Sequence, residues 1–192
     1  HMKLDQKRWD QKYQGEEFAY GKKPNAFLKI HLGSLKKGVA LDLASGEGRN
    51  AVFLAQAGWK MDAVDISPVG LRKARKLAKE AGVKINFLQA DLDSYPIARG
   101  KYDLIMVLYF WNRRLLPQIK RGLKNGGRIL FETYTLETLL RGLQGPREAK
   151  YLLKANELLD LFRDFRVLFY REGIFREGGR RKAIASLIAE KS

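Results

Sequence analysis

Four carboxylates stand where a short apolar run gives way to a turn. Asp42 and Glu47 flank and enter Ala44-Ser45-Gly46-Glu47-Gly48, Asp65 closes Lys60–Asp65, and Asp91 follows Lys84–Gln89. Ser45, Gly46 and Gly48 give the first turn small residues and free backbone angles, so its N–H groups can meet a ligand. Gly46-Glu47-Gly48-Arg49-Asn50-Ala51 fits the dinucleotide pattern G-x-G-x-x-G/A, which alone is a weak signal. The charges argue against a dinucleotide. Asp42 and Glu47 would repel a pyrophosphate and attract an ammonium or sulfonium group. Asp65, 19 positions after Gly46, stands where an acid for ribose hydroxyls is expected. The set suits a cationic adenosyl ligand, S-adenosylmethionine (SAM), better than a nicotinamide cofactor. Singly, each acid is also compatible with a strand-end or helix-cap role, Asp91 above all.

The elements that must hold these acids alternate. Val39–Leu43 reads as a strand buried on both faces, and Asn50–Ala57 as the helix after it. Lys60–Asp65 is the second strand, and Ser67-Pro68 caps and opens a helix that runs to Ala81 and stops at Gly82. Lys84–Gln89 and Tyr102–Leu108 are strands three and four, with a helix over Arg113–Leu123. Asn125-Gly126-Gly127 reads as a turn into strand five, Arg128–Thr133. Leu136–Lys150 reads as a loop or broken helix, and Ala155–Phe162 as a short helix. Phe165–Arg171 and Lys182–Ala189 are joined through Gly178-Gly179, too briefly for a crossover helix, and should pair antiparallel. The expected fold is α/β: a Rossmann-like, doubly wound sheet of five parallel strands plus a C-terminal antiparallel hairpin, with helices on both faces.

Residues 1–192 are expected to be one domain, with 1–38 an aromatic-rich arm and 39–192 the ligand-binding core. Lys3–Gln14 and Pro24–Leu35 read as short helices of the arm, Pro24 near the first turn of the second. Such an arm would act as a lid, with Tyr13 and Tyr20 over the ligand, or cover a sheet edge. His1-Met2 reads as a remnant ahead of the native start, so His1 is given no chemistry. There is no cysteine, which rules out disulfides, zinc–thiolate sites and cysteine nucleophiles, and no metal is expected. No apolar run approaches a membrane span and no signal-peptide pattern opens the chain, so a cytoplasmic location is the expectation. The net charge of +16, from 37 basic and 21 acidic residues, makes a case for an anionic partner such as nucleic acid. A solvated basic surface accounts for it better: Arg72, Lys73, Arg75, Lys76 and Lys79 fall mostly on the outer face of a helix, and no RNA-binding signature is present.

Leu41-Asp42-Leu43-Ala44-Ser45-Gly46-Glu47-Gly48-Arg49-Asn50 resembles the first motif of the class I SAM-dependent methyltransferases. Val64-Asp65-Ile66-Ser67 resembles their second motif, Gln89-Ala90-Asp91-Leu92 their adenine-contact motif, and Leu123-Lys124-Asn125-Gly126-Gly127 their turn usually written Pro-Gly-Gly. Within the class, the Gly46–Asn50 loop and the pattern Trp9, Tyr13, Tyr20-Gly21, Pro24-Asn25, Phe27-Leu28 are similar to the small tellurite-resistance and thiopurine-type methyltransferases. Ala44-Ser45 departs from the common Gly-Cys or Gly-Ser pair, adding a methyl where the backbone usually runs against the cofactor. The resemblance implies strand order 3-2-1-4-5-7-6, with SAM as cofactor and S-adenosylhomocysteine as product. It places Ala44, Gly46 and Arg49 at the methionine end and Asp42 on its ammonium. Asp65 would take the ribose, Ile66, Asp91 and Leu92 the adenine, and Leu108 the sulfonium end, with Tyr13 and Asn25 of the arm also on the cofactor.

Methyl transfer from a sulfonium is an in-line displacement on an activated carbon, so alignment and exclusion of water matter most. A base is needed only for an acceptor protonated at working pH, and none is obvious; His31 reads as a surface or helix residue. The acceptor-pocket candidates are Tyr20, Tyr109, Trp111, Arg113, Tyr134 and Arg147, Trp111 being slightly better suited to packing the next helix. No Asn/Asp-Pro-Pro-Tyr motif follows strand four, which weakens base N-methylation. The expected acceptor is a small molecule, a thiol, metalloid or other soft nucleophile, handled by a monomer or homodimer. The alternatives are methylation of RNA or another macromolecule, and SAM binding without catalysis.

Overall fold

The computed structural model describes residues 2–192, and His1 lies outside them. Val39–Leu43 forms β1, flanked in parallel by β2 (Lys60–Asp65) and β4 (Tyr102–Leu108). β3 (Asn86–Gln89) continues the sheet beyond β2, and β5 (Leu123–Tyr134) beyond β4, again parallel. β6 (Arg166–Glu177) and β7 (Arg180–Glu190) form an antiparallel hairpin, with β7 seated against β5. The order is 3-2-1-4-5-7-6, the arrangement expected. The helices are α1 (Met2–Tyr13), α2 (Ala26–His31), α3 (Arg49–Gln56), α4 (Pro68–Glu80), α5 (Leu116–Gly122), α6 (Glu137–Leu140) and α7 (Glu157–Leu161). Among the described residues, no helix is long and apolar enough to cross a membrane.

Alternation along the strands splits their side chains between two apolar layers. Ala40, Ala63, Met106 and Leu130 pack with Leu28 of α2 and Leu54 of α3 on one face. Leu41, Val64, Val107 and Phe131 pack with Ile119 of α5 and Leu158 of α7 on the other. By the same parity, Asp42, Asp65 and Glu132 share the α2/α3 face, at or near the carboxyl ends of β1, β2 and β5. All three are buried.

Several boundaries differ from the expectation, each for a local reason. Asn25, not Pro24, starts α2: its side chain accepts from Leu28 N at 3.0 Å, so the helix opens at Ala26. The helix expected from Arg113 is first a 3₁₀ turn, Arg113–Leu115, and becomes α-helical at Leu116 with Pro117 in its first turn. Asn125-Gly126-Gly127 is not a separate turn but an irregularity within β5, where Tyr102 faces Leu123 and Leu104 faces Arg128. The hairpin strands are longer than expected. Gly178 and Gly179 have φ of +56° and +78°, which makes a two-residue turn and lets pairing reach Glu177 and Arg180.

Gly48 precedes α3 with φ +82°, and a Cβ there would lie 2.7 Å from Ala74 Cβ on α4. The turn after β1 is thus pressed onto α4, which is how the loop is fixed. Gly48→Ala should cost about 2–4 kcal/mol through left-handed strain and overpacking. Scanning calorimetry should show Tm lower by roughly 4–15 °C; an unchanged Tm would mean that this contact does not fix the loop.

Candidate cofactor and acceptor site

The loop after β1 is built from its neighbour strand. Asp65, at the end of β2, accepts from Gly46 N at 2.7 Å and from Ser67 N at 2.9 Å. Burial holds its carboxyl above the usual range, although these backbone donors pull the other way. Ser67 caps α4 by accepting from Gly70 N, and its hydroxyl donates to Asp10 of α1 at 2.5 Å. Asp42 is 2% exposed, and its Oδ2 has no hydrogen-bond partner. Burial, and then the field of Asp65, push its carboxyl up to about 7, with Arg49 opposing. Ala44 adopts φ +60°, so the departure from glycine seen in the sequence falls at a left-handed position, a strain of about 1–2 kcal/mol.

The arm lies on this loop. Tyr13 Oη would be 2.8 Å from a Cβ at Gly46, and Tyr13 Cδ2 2.9 Å from one at Gly70, so both glycines leave room for this one ring. Trp9 stacks on it at 5.6 Å. Glu47, expected to face the ligand, faces the arm instead: it accepts from Ala19 N at 2.7 Å and pairs with Lys73 of α4. Lys73 also donates to the carbonyls of Tyr13, Gly15 and Glu17. It is therefore a clamp on the arm, not part of a solvated outer face. The charge argument against a pyrophosphate then rests on Asp42 and Asp65.

Asn25, expected on the cofactor, is committed to structure. Its N–H donates to Asn50 Oδ1 at 2.7 Å and its Nδ2 to Glu132 at 3.2 Å. Glu132 is fully buried and also accepts from Tyr109 Oη at 2.9 Å, Ser186 Oγ at 2.6 Å and Arg171 at 3.4 Å. Sequence reasoning passed over Glu132, although a lone acid in Ile129-Leu130-Phe131-Glu132-Thr133 was a signal. Tyr109 has φ +55° just beyond β4, its ring edge-on to Tyr134 at 5.0 Å. Burial, first of all, raises the pKa of Tyr13, Tyr20, Tyr109 and Tyr134, so all four stay protonated donors at neutral pH. Arg49, half-buried, lies within the fields of Asp42, Tyr109, Tyr20 and Tyr13 and donates to Lys23 O at 3.0 Å.

Two pocket candidates belong elsewhere. Trp111 is 3% exposed and packs edge-on to Phe131 in the α5/α7 layer, because the left-handed turn at Tyr109 sends the chain to that face. Arg113 pairs with Glu157 and donates to the carbonyls of Lys150 and Leu152, clamping α7. Arg147 is exposed. Ile66 is half-buried beside Asp65, Leu92 is buried and Asp91 half-buried in the turn after β3, and Leu108 is buried at the end of β4. Tyr20 is 53% exposed on the arm.

The sequence-family model described as Methyltransferase domain matches residues 40–127, the stretch from β1 to the start of β5. Over residues 40–127, a little under half of the chain, the sequence is similar to that family. The relatives of this chain include a demethylmenaquinone methyltransferase of Thermus thermophilus, 30% identical over 97 residues, 47% of this chain and 44% of the relative. A ribosomal protein L11 methyltransferase of the same species is 34% identical over 92 residues, 47% of this chain and 36% of the relative. The chain thus spans less than half the length of these relatives. In fold, the structure is similar to TehB of Haemophilus influenzae, with TM-score 0.75 and 19% identity over 97% of this chain and 67% of that one. A SAM-dependent methyltransferase of Methanosarcina mazei gives 0.69 and 19% over 84% and 96%. The family match and these neighbours imply SAM as the cofactor. The residues present fit it: a buried carboxylate oxygen without a donor suits an ammonium group and disfavours a phosphate.

Proposed function

We propose that this chain transfers the methyl group of SAM to a small-molecule acceptor. The observation that carries the reading is Asp42, a buried carboxylate with an unpartnered oxygen beneath a glycine turn in the stretch similar to the methyltransferase family. In this reading Asp42 pairs with the ammonium of the methionine end, beside Ala44, Gly46 and Arg49. Asp65 receives the ribose hydroxyls on the lone pairs that Gly46 and Ser67 leave free. Ile66 packs on the adenine, and Asp91 and the Leu92 backbone meet its polar edge. Leu108 and Tyr109 stand at the sulfonium, with Tyr134 and Tyr20 on the acceptor side. Tyr13 closes over the loop and keeps water out.

SAM supplies an electrophilic methyl carbon, so the chain's own work is to align the acceptor and exclude solvent. The acceptor reads as a thiolate, metalloid anion or other soft nucleophile. A second reading, a macromolecular acceptor such as RNA, is favoured by the +16 charge and would show as salt-dependent RNA binding. Titration calorimetry with SAM, S-adenosylhomocysteine and NADH is the test. Micromolar binding of both adenosyl ligands and none of NADH is expected. Binding of NADH alone would overturn the reading, and SAM binding without turnover on any acceptor would leave a binding module.

A further inference from the structure

The β6–β7 hairpin outruns the strand it pairs with. β5 ends at Tyr134, opposite Ile184, while β6 and β7 remain paired to Glu177 and Arg180. The extension brings Lys182 Nζ to 4.9 Å from the Tyr109 ring centre, and Arg180 to Gln144 Oε1 at 3.1 Å. Lys182 thus stands over Tyr109, and Arg180 lies within the field of Tyr134, at the carboxyl ends of β4 and β5.

The carboxylates around this pair are already engaged. Glu132 is taken by Asn25, Tyr109, Ser186 and Arg171, and Glu177 Oε1 by Arg171 at 2.9 Å. Lys182 forms a long ion pair with Glu177 Oε2 at 3.8 Å, beyond hydrogen-bond distance, and a ring face attracts a cation without accepting an ionic hydrogen bond, so its N–H donors stay available. Among the described residues, Arg180 and Arg49 make no ion pair with a carboxylate; they donate to an amide and a carbonyl. The tyrosines are donors, and the His31 ring packs against Phe27 and Phe169. The site therefore offers cations and hydrogen-bond donors, and its carboxylate oxygen without a hydrogen bond, Glu177 Oε2, is held in the ion pair with Lys182.

We propose that the methyl acceptor is a small anion, already deprotonated when it binds, held by Lys182 and Arg180 of the hairpin over the Tyr109–Tyr134 pair. This rests on the methyltransferase reading. The anion's lone pair forms the bond to the methyl carbon as the carbon–sulfur bond breaks, and that electron pair returns to sulfur. The sulfonium becomes a neutral thioether, the acceptor loses one negative charge, and no proton is left to remove. Lys182 is a specificity residue here; it holds the acceptor and takes no part in the bond changes.

Calorimetry on the protein saturated with S-adenosylhomocysteine tests this without turnover. The probes are 4-nitrothiophenolate, benzoate and selenite, with 4-nitroaniline and benzamide as uncharged counterparts. At least one anion should bind tenfold or more tightly than the uncharged probes. Lys182→Met should abolish that preference and leave S-adenosylhomocysteine affinity unchanged, with Lys182→Arg restoring it. Uncharged probes binding as well as the anions, no anion binding at all, or Lys182→Met without effect would each overturn the proposal. Failure of S-adenosylhomocysteine to bind would instead sink the methyltransferase reading itself.

Discussion

Asp42→Asn should make the unliganded protein more stable and its cofactor affinity far lower. Burial raises the Asp42 carboxyl from 3.8 to about 7, so the folded state prefers the proton that the unfolded chain has released. A group whose pKa is raised on folding contributes stability that is full below its unfolded value and lost as pH rises through the folded one. At pH 8 the native protein therefore carries a buried charge at a cost, and asparagine removes it. The gain should be about 1–3 kcal/mol at pH 8, a Tm higher by roughly 3–10 °C, should shrink as pH falls below 7, and should vanish only below the unfolded value of 3.8, where Asp42 is protonated in both states. SAM affinity should fall about a hundredfold or more, because the ammonium loses its buried counter-charge. The native protein should bind SAM more tightly as pH rises from 5.5 to 8, and the variant should not. Equal affinity in both proteins would remove Asp42 from the ammonium site.

Lys73→Ala should release the arm. One ammonium group holds three carbonyls of residues 13–17 and the buried carboxylate of Glu47, which is 5% exposed. Removing it leaves Glu47 charged without its cation, a loss of about 3–5 kcal/mol and a Tm drop of roughly 6–20 °C. Limited proteolysis should find new cleavage between residues 14 and 20. Lys73→Ala combined with Glu47→Gln should recover part of the stability while the segment stays cleavable. A single variant as resistant as the native protein would mean that the arm is held elsewhere, for instance by Asp10 on Ser67.

These two residues mark what a sequence yields and what it withholds. Asp42 was legible because its surroundings are local: an apolar strand before it and glycines after it fix its place. The strand order and the Ser67 cap were legible for the same kind of reason, local pattern joined to family resemblance. Lys73 was not, since helical spacing places it beside solvent-facing Arg72 and Lys76, and only the arm, 56–60 residues away along the chain, covers it. Glu132 owes its partners to β5–β7 pairing, and Lys182 its place near Tyr109 to the β6–β7 hairpin running on past the end of β5; no local pattern encodes either contact. Trp111 and Arg113 misled because they follow β4 immediately, where one left-handed residue, Tyr109, redirects the chain to the opposite face.

Asn25 caps the helix after the arm and donates to Glu132, while Glu132 accepts from Tyr109. Under the proposed function, freeing the cofactor means lifting the segment between α1 and Asn25, and that slackens the wall against which the acceptor rests. The two substrates then cannot be exchanged independently. The kinetics should follow a compulsory order, cofactor on first and its product off last, with the step that reopens the arm setting the pace of turnover.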